Sequence, residues 1–126
     1  MKKFNITVVG LGYVGLSNAI LLAQHNNVLA IDVDEERLHL VSQKKSPIHD
    51  DLIAKYLTTK SLLINTALAS DVSYSDADYV IISTPTNYNE ITNYFDTQSV
   101  ETVISNVIAD STKAIIVIKS TVPVGF

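Results

Sequence analysis

The sequence predicts a doubly wound α/β domain, a parallel sheet with helices on both faces. Three observations predict it. Short apolar runs alternate with helical segments, Gly10, Gly12 and Gly15 follow the first run, and Asp32 closes the second. Parallel strands joined by right-handed crossovers then give the strand order 3-2-1-4-5. A ligand is expected across the carboxyl ends, where the order reverses between strands one and four.

Ile6-Thr7-Val8-Val9 reads as a buried first strand, and Leu16, Ala19, Ile20 and Ala23 recur at helical spacing after it. The first helix is expected from about Tyr13 to Gln24. Between them, Gly10-Leu11-Gly12-Tyr13-Val14-Gly15 fits G-x-G-x-x-G, the turn that lays a pyrophosphate on a helix N-terminus. Gly10 serves the tight turn, Gly12 leaves the backbone open to the phosphates, and Gly15 lets the helix settle against the strand. The first helical N–H groups and the helix dipole attract the anion.

The second run, Val28-Leu29-Ala30-Ile31, ends in Asp32, 20 residues past Gly12 and thus where a ribose-binding acid is expected. Together these features read as a Rossmann dinucleotide site. A carboxylate at Asp32 accepts from both adenosine ribose hydroxyls and repels a 2′-phosphate, which favours NAD over NADP. Arg37 is the one nearby group suited to such a phosphate, and acids at 32, 34, 35 and 36 surround it. Asp34, Glu35 and Glu36 read as stabilisers of a second helix through its dipole.

Lys44-Lys45-Ser46-Pro47 breaks that helix, and a short one is expected from Asp50 to Leu57. Ser61 to Asn65 reads as the third strand, and the polar Ser70 to Asp76 as a short helix or turn. Tyr79-Val80-Ile81-Ile82-Ser83 has the unbroken apolar character of a strand covered on both faces. A loop follows from Tyr88 to Phe95. Asp96 or Thr97 then caps a helix whose face is Val100, Val103, Ile104, Val107 and Ile108. Ala114 to Ile118 is the fifth strand, and Pro123 is placed to open a further helix.

A chain of 126 residues with 47% hydrophobic content is one domain, 1–126, able to bury a core. A net charge of −4 gives no reason to expect nucleic acid or an anionic membrane as partner. Without cysteine the chain has neither a disulfide framework nor a thiol nucleophile. Met1-Lys2-Lys3-Phe4 could open a signal peptide, but Asn5, the glycine turn and the polar Gln24-His25-Asn26-Asn27 argue otherwise, and no small-residue cleavage site follows. The same polar patch keeps any apolar run too short for a bilayer. The expectation is a cytoplasmic protein.

Strand ends select the candidate site residues: the glycine turn, Asp32, Thr84-Pro85-Thr86 and Ser120-Thr121 all face one crevice. Threonines at strand ends are commonly turn chemistry alone, so a ligand role needs further support. His25, His39 and His49 show no ligand spacing, and no metal site is expected.

Gly10 to Leu16, Thr84-Pro85-Thr86 and Lys119-Ser120-Thr121-Val122-Pro123-Val124-Gly125 resemble the NAD-binding domain of the nucleotide-sugar dehydrogenases. Ser46-Pro47-Ile48 and Thr92 to Glu101 are similar, more narrowly, to the short bacterial UDP-glucose 6-dehydrogenases. The resemblance implies that Val14, Asp32, Arg37, Thr86 and Thr121 touch NAD, with Arg37 near the adenosine ribose. It also implies that the Thr121 hydroxyl orders a water beside the nicotinamide and the reacting carbon. Family members oxidise UDP-glucose to UDP-glucuronate with two NAD and one water, through thiohemiacetal and thioester intermediates on a cysteine. That cysteine and the UDP-sugar domain lie beyond the equivalent of Phe126, so the chain is expected to be an N-terminal fragment that binds NAD without turnover. The full-length enzyme is expected to be a homodimer, and the fragment to self-associate. Alternatives are a UDP-N-acetyl-mannosamine or GDP-mannose dehydrogenase, or a non-catalytic NAD-binding module.

Overall fold

The computed structural model describes residues 3–59, 62–85, 87–89, 94–110 and 113–120. Five parallel strands form the main sheet: β1 (Asn5–Val9), β2 (Asn27–Asp32), β3 (Ile64–Leu68), β4 (Tyr79–Ile82) and a last strand, Ile115–Ile118. Their order is β3-β2-β1-β4 and then the last strand, which is the 3-2-1-4-5 order expected. The described residues include four α-helices, α1 (Tyr13–Ala23), α2 (Glu35–Ser42), α3 (Asp51–Thr59) and α4 (Gln98–Asp110), and a 3-10 turn at Ala69–Asp71. A short antiparallel pair, β5 (Asn87–Asn89) with β6 (Tyr94–Asp96), intervenes, so Ile115–Ile118 is β7.

Strand alternation splits the core in two. On one face Val9, Ile31, Val80 and Ile82 pack with Val100, Val103 and Val107 of α4. On the other, Ile6, Val8 and Val28 meet Ala19 and Ala23 of α1, while Ala30 joins Leu16, Ile20 and residues of α2 and α3. β1 and β2 thus carry apolar side chains in both directions, which is why their sequences read as unbroken runs. Phe4 and Tyr79 close the amino-terminal edge as an edge-to-face pair with centroids 5.4 Å apart.

The structure corrects three boundaries and one helix face. β3 lies at 64–68, not 61–65, because its register with β2 runs from Val28↔Ile64 to Asp32↔Leu68. Leu62 and Leu63 precede it, and Leu63 is tied by its N–H to the Ala23 carbonyl (3.0 Å). The expected 88–95 loop contains the β5–β6 ladder, whose strands of three residues are too short for an alternation signal. Asp50 is the residue before α3 and caps it, its Oδ1 accepting from Ile53 N–H at 2.9 Å. On α4, Ile108 is 65% exposed, so the buried face is narrower than the sequence spacing suggests. Residues 61, 86, 90–93 and 121–126 lie outside the described residues.

Candidate functional site

The glycine turn is held by contacts that explain two of its glycines. Gly10 has φ of +95°, and a Cβ on it would meet the Ser83 carbonyl oxygen at 2.7 Å. Its N–H donates to Ile31 O at 2.8 Å, anchoring the turn to the end of β2. A Cβ on Gly15 would fall on the Gly10 carbonyl oxygen, so α1 packs against the turn itself as well as against β1. Gly12 differs: a Cβ there would meet nothing closer than Arg37 Nη1 at 4.0 Å, and would project into the open cleft.

Gly12 is also the N-cap of α1, whose first turn has no side-chain cap and no acid. Its leading N–H groups therefore stay available to an anion. Tyr13 (60% exposed) and Val14 (45% exposed) sit on that turn as uncovered apolar groups beside the cleft.

Asp32 is engaged by the backbone. Its Oδ2 accepts from Leu11 N–H at 2.8 Å and its Oδ1 from Asp34 N–H at 2.9 Å. A carboxylate oxygen has two acceptor sites, so each still has one to offer. Arg37 completes the arrangement, with Nη1 donating to Leu11 O at 3.1 Å and Nε lying 3.6 Å from Asp34 Oδ2. The Leu11 side chain is fully buried beside Leu16, Ile20 and Leu38. Leu11 is thereby fastened by its side chain and by both polar groups of its backbone. Asp34 caps α2 through Oδ1, which accepts from Glu36 and Arg37 N–H, and Glu35 and Glu36 occupy the first turn as expected.

Across the cleft, the segment after β4 is tied from two sides. Ser99 Oγ donates to Pro85 O at 2.9 Å and lies 3.0 Å from Thr84 Oγ1. Ser120 Oγ donates to Thr84 O at 2.6 Å. These walls enclose a cavity of about 740 Å³ on the α4 face, at the carboxyl ends of β1, β2 and β4. Gly10 to Val14, Asp32, Arg37, Thr84 and Pro85 all line it. Gly15 is buried behind the turn, Ser120 acts through Thr84, and Thr86 and Thr121 lie outside the described residues.

The cavity has a further, largely apolar end that the sequence reading did not include: Val33, Ala69, Tyr74 and Val103, with Thr102 and Asn106. The signal was present on α4, where Ser99, Thr102, Val103 and Asn106 follow helical spacing beside the core face. Burial, and then the Asp110 carboxylate that accepts from Tyr74 N–H, push the Tyr74 phenol above its ordinary value. The three histidines are exposed, and no group of three or more metal-ligating side chains occurs among the described residues. Nor is any described helix long and apolar enough to cross a membrane.

The strand order, the glycine turn and the acid at the end of β2 define a dinucleotide-binding domain of the Rossmann type. Residues 4–126 match the family model for the UDP-glucose/GDP-mannose dehydrogenase family, NAD binding domain. The chain belongs to that family, and NAD is its cofactor. It is 46% identical to a UDP-glucose 6-dehydrogenase of Streptococcus pneumoniae over 121 residues, covering 96% of this chain and 31% of that protein. Identity to a GDP-mannose 6-dehydrogenase of Pseudomonas syringae is 32%, over 93% of this chain and 28% of the relative. The solved UDP-glucose dehydrogenase of Pyrobaculum islandicum shares the fold with a TM-score of 0.82 at 23% identity, over 98% of this chain and 30% of that one. The chain thus spans about a third of the length of these relatives.

Proposed function

We propose that this chain is the cofactor-binding part of a UDP-glucose 6-dehydrogenase, which oxidises UDP-glucose to UDP-glucuronate using two NAD and one water. The single observation that carries the choice of sugar is identity: 46% to a UDP-glucose enzyme against 32% to a GDP-mannose enzyme.

NAD fits the residues present. Gly12 leaves open the space a Cβ would take, the α1 terminus is uncapped, and Asp32 keeps acceptor capacity toward the cleft. In this reading Gly10 to Gly15 seat the pyrophosphate, with backbone N–H groups donating to its oxygens. Asp32 accepts from the adenosine ribose, and Arg37 lies beside it. The apolar end at Val33, Ala69 and Val103 takes the adenine. Thr84, Pro85, Thr86 and Ser120 shape the side toward the nicotinamide, where Thr121 orders a water by the reacting carbon. NAD supplies the hydride acceptor when bound. The cysteine nucleophile and UDP-sugar contacts are supplied by residues outside this chain.

The test pairs binding with turnover. The 126-residue chain should bind NADH, by fluorescence or calorimetry, and should not reduce NAD in the presence of UDP-glucose. The intact enzyme should reduce NAD with UDP-glucose and not with GDP-mannose or UDP-N-acetyl-mannosamine. Turnover with either of those sugars instead would replace the substrate assignment, and binding with no turnover on any sugar would favour a non-catalytic module.

A further inference from the structure

Ser83 stands where β4 meets the glycine turn. Its carbonyl oxygen is the atom a Cβ on Gly10 would strike, and its own Cβ lies 3.2 Å from the position of a Cβ on Gly15. Its N–H donates to Val9 O at 2.8 Å, so the backbone is fixed. The residue lines the cleft, yet its Oγ is buried and has no hydrogen-bond partner among the described residues. Buried hydroxyls are nearly always paired, and an unpaired one calls for a cause. Core packing gives none, because alanine would fill the same space against Gly15 without an unmet donor.

Ser83 lines the cleft, and its χ1 torsion alone sets the direction of Oγ. Serine has three staggered rotamers of similar energy, so turning χ1 re-aims the hydroxyl without moving the backbone. The group that a glycine turn of this kind seats, at its open Gly12, is the pyrophosphate, an acceptor with no donor of its own. We infer that Ser83 is a further anchor for the pyrophosphate, its hydroxyl donating directly or through one water to a phosphate oxygen seated on the glycine turn. This rests on the cleft being the NAD site. The assignment differs from the backbone N–H contacts of the turn in being a side-chain contact that can be deleted alone.

The test is Ser83→Ala in the 126-residue chain, with NADH affinity by calorimetry and the melting temperature of the ligand-free chain measured side by side. Deleting a hydrogen bond to a charged group should weaken NADH about ten-fold, while the ligand-free melting temperature stays level or rises as an unmet hydroxyl is removed. Unchanged NADH affinity would overturn the inference. So would an affinity loss accompanied by a lower ligand-free melting temperature, since the hydroxyl would then support the turn and not the ligand. If the unmodified chain binds no NADH, the reading of the cleft itself fails and the inference falls with it. If the unmodified chain binds and the variant does so equally well, only the role of Ser83 is lost.

Discussion

The Asp32 carboxylate reaches across 21 residues of sequence to hold Leu11 N–H at 2.8 Å, so the acid at the end of β2 also fixes the glycine turn. One side chain thereby links the end of β2 to the glycine turn. Asp32→Ala should then do two things: weaken NADH by about ten-fold or more through the lost charged acceptor, and narrow the preference for NADH over NADPH. Asp32→Asn, which keeps an acceptor for Leu11, should retain more of the ligand-free stability than Asp32→Ala. Titration of both nucleotides against both variants checks this, and tighter NADPH binding by the unmodified chain would contradict it.

Gly10→Ala and Gly15→Ala should each be destabilising even without ligand, since both meet backbone atoms. Overpacking of this kind costs about 1–3 kcal/mol, or roughly 5–15 °C in melting temperature for a domain of this size. Gly12→Ala should leave the melting temperature nearly unchanged and weaken NADH instead. Thermal scans with and without NADH separate the two behaviours.

In the intact enzyme, Thr121→Ala should lower kcat by about 100-fold, the low end for acid–base assistance, with little change in the NAD dissociation constant. A kcat equal to that of the unmodified enzyme would reduce Thr121 to a turn residue.

Tyr74 sets an alkaline limit. Its phenol is raised in the folded state, so the unfolded chain releases the proton first as pH climbs past the ordinary tyrosine value near 10. The stability it contributes is complete below that pH and is lost as pH rises through the folded value. Tyr74→Phe should flatten the loss, as urea unfolding at a series of alkaline pH values would reveal.

β7 leaves Ile115 (56% exposed) and Val117 (37% exposed) open at the edge of the sheet among the described residues. An apolar edge strand invites pairing with a second copy. The 126-residue chain should associate with rising concentration in light scattering, and Ile115→Lys should suppress this. A monodisperse unmodified chain at high concentration would refute it.

The glycine-turn wall was legible in the sequence because backbone demands leave few residue choices. Gly10 at positive φ, and Gly15 against a carbonyl, could hardly be anything else, and the apolar runs of β1 and β2 follow from burial on both faces. The opposite wall was less legible. Ser83, Ser99 and Tyr74 take their positions from contacts between elements distant in sequence, such as Ser99 with Pro85 and Tyr74 with Asp110. Local spacing carries no record of such partners. β3 was misplaced for a related reason: an edge strand with one half-covered face has a weak apolar pattern, and Leu62-Leu63 outcompeted it.

The two ties on Thr84 also set an order of assembly during synthesis. Leu11, Asp32 and Arg37 find one another within 26 residues, so the glycine-turn wall can form as soon as α2 has left the ribosome. Thr84 must wait a further 36 residues for Ser120, whose docking requires β7 to have paired with β4. Contacts of longer sequence separation form later as a chain emerges from its amino end. A nascent chain therefore carries an early half-cleft and a late one. Dinucleotide added to stalled ribosomes would discriminate between chains released to about residue 60 and those released past residue 120.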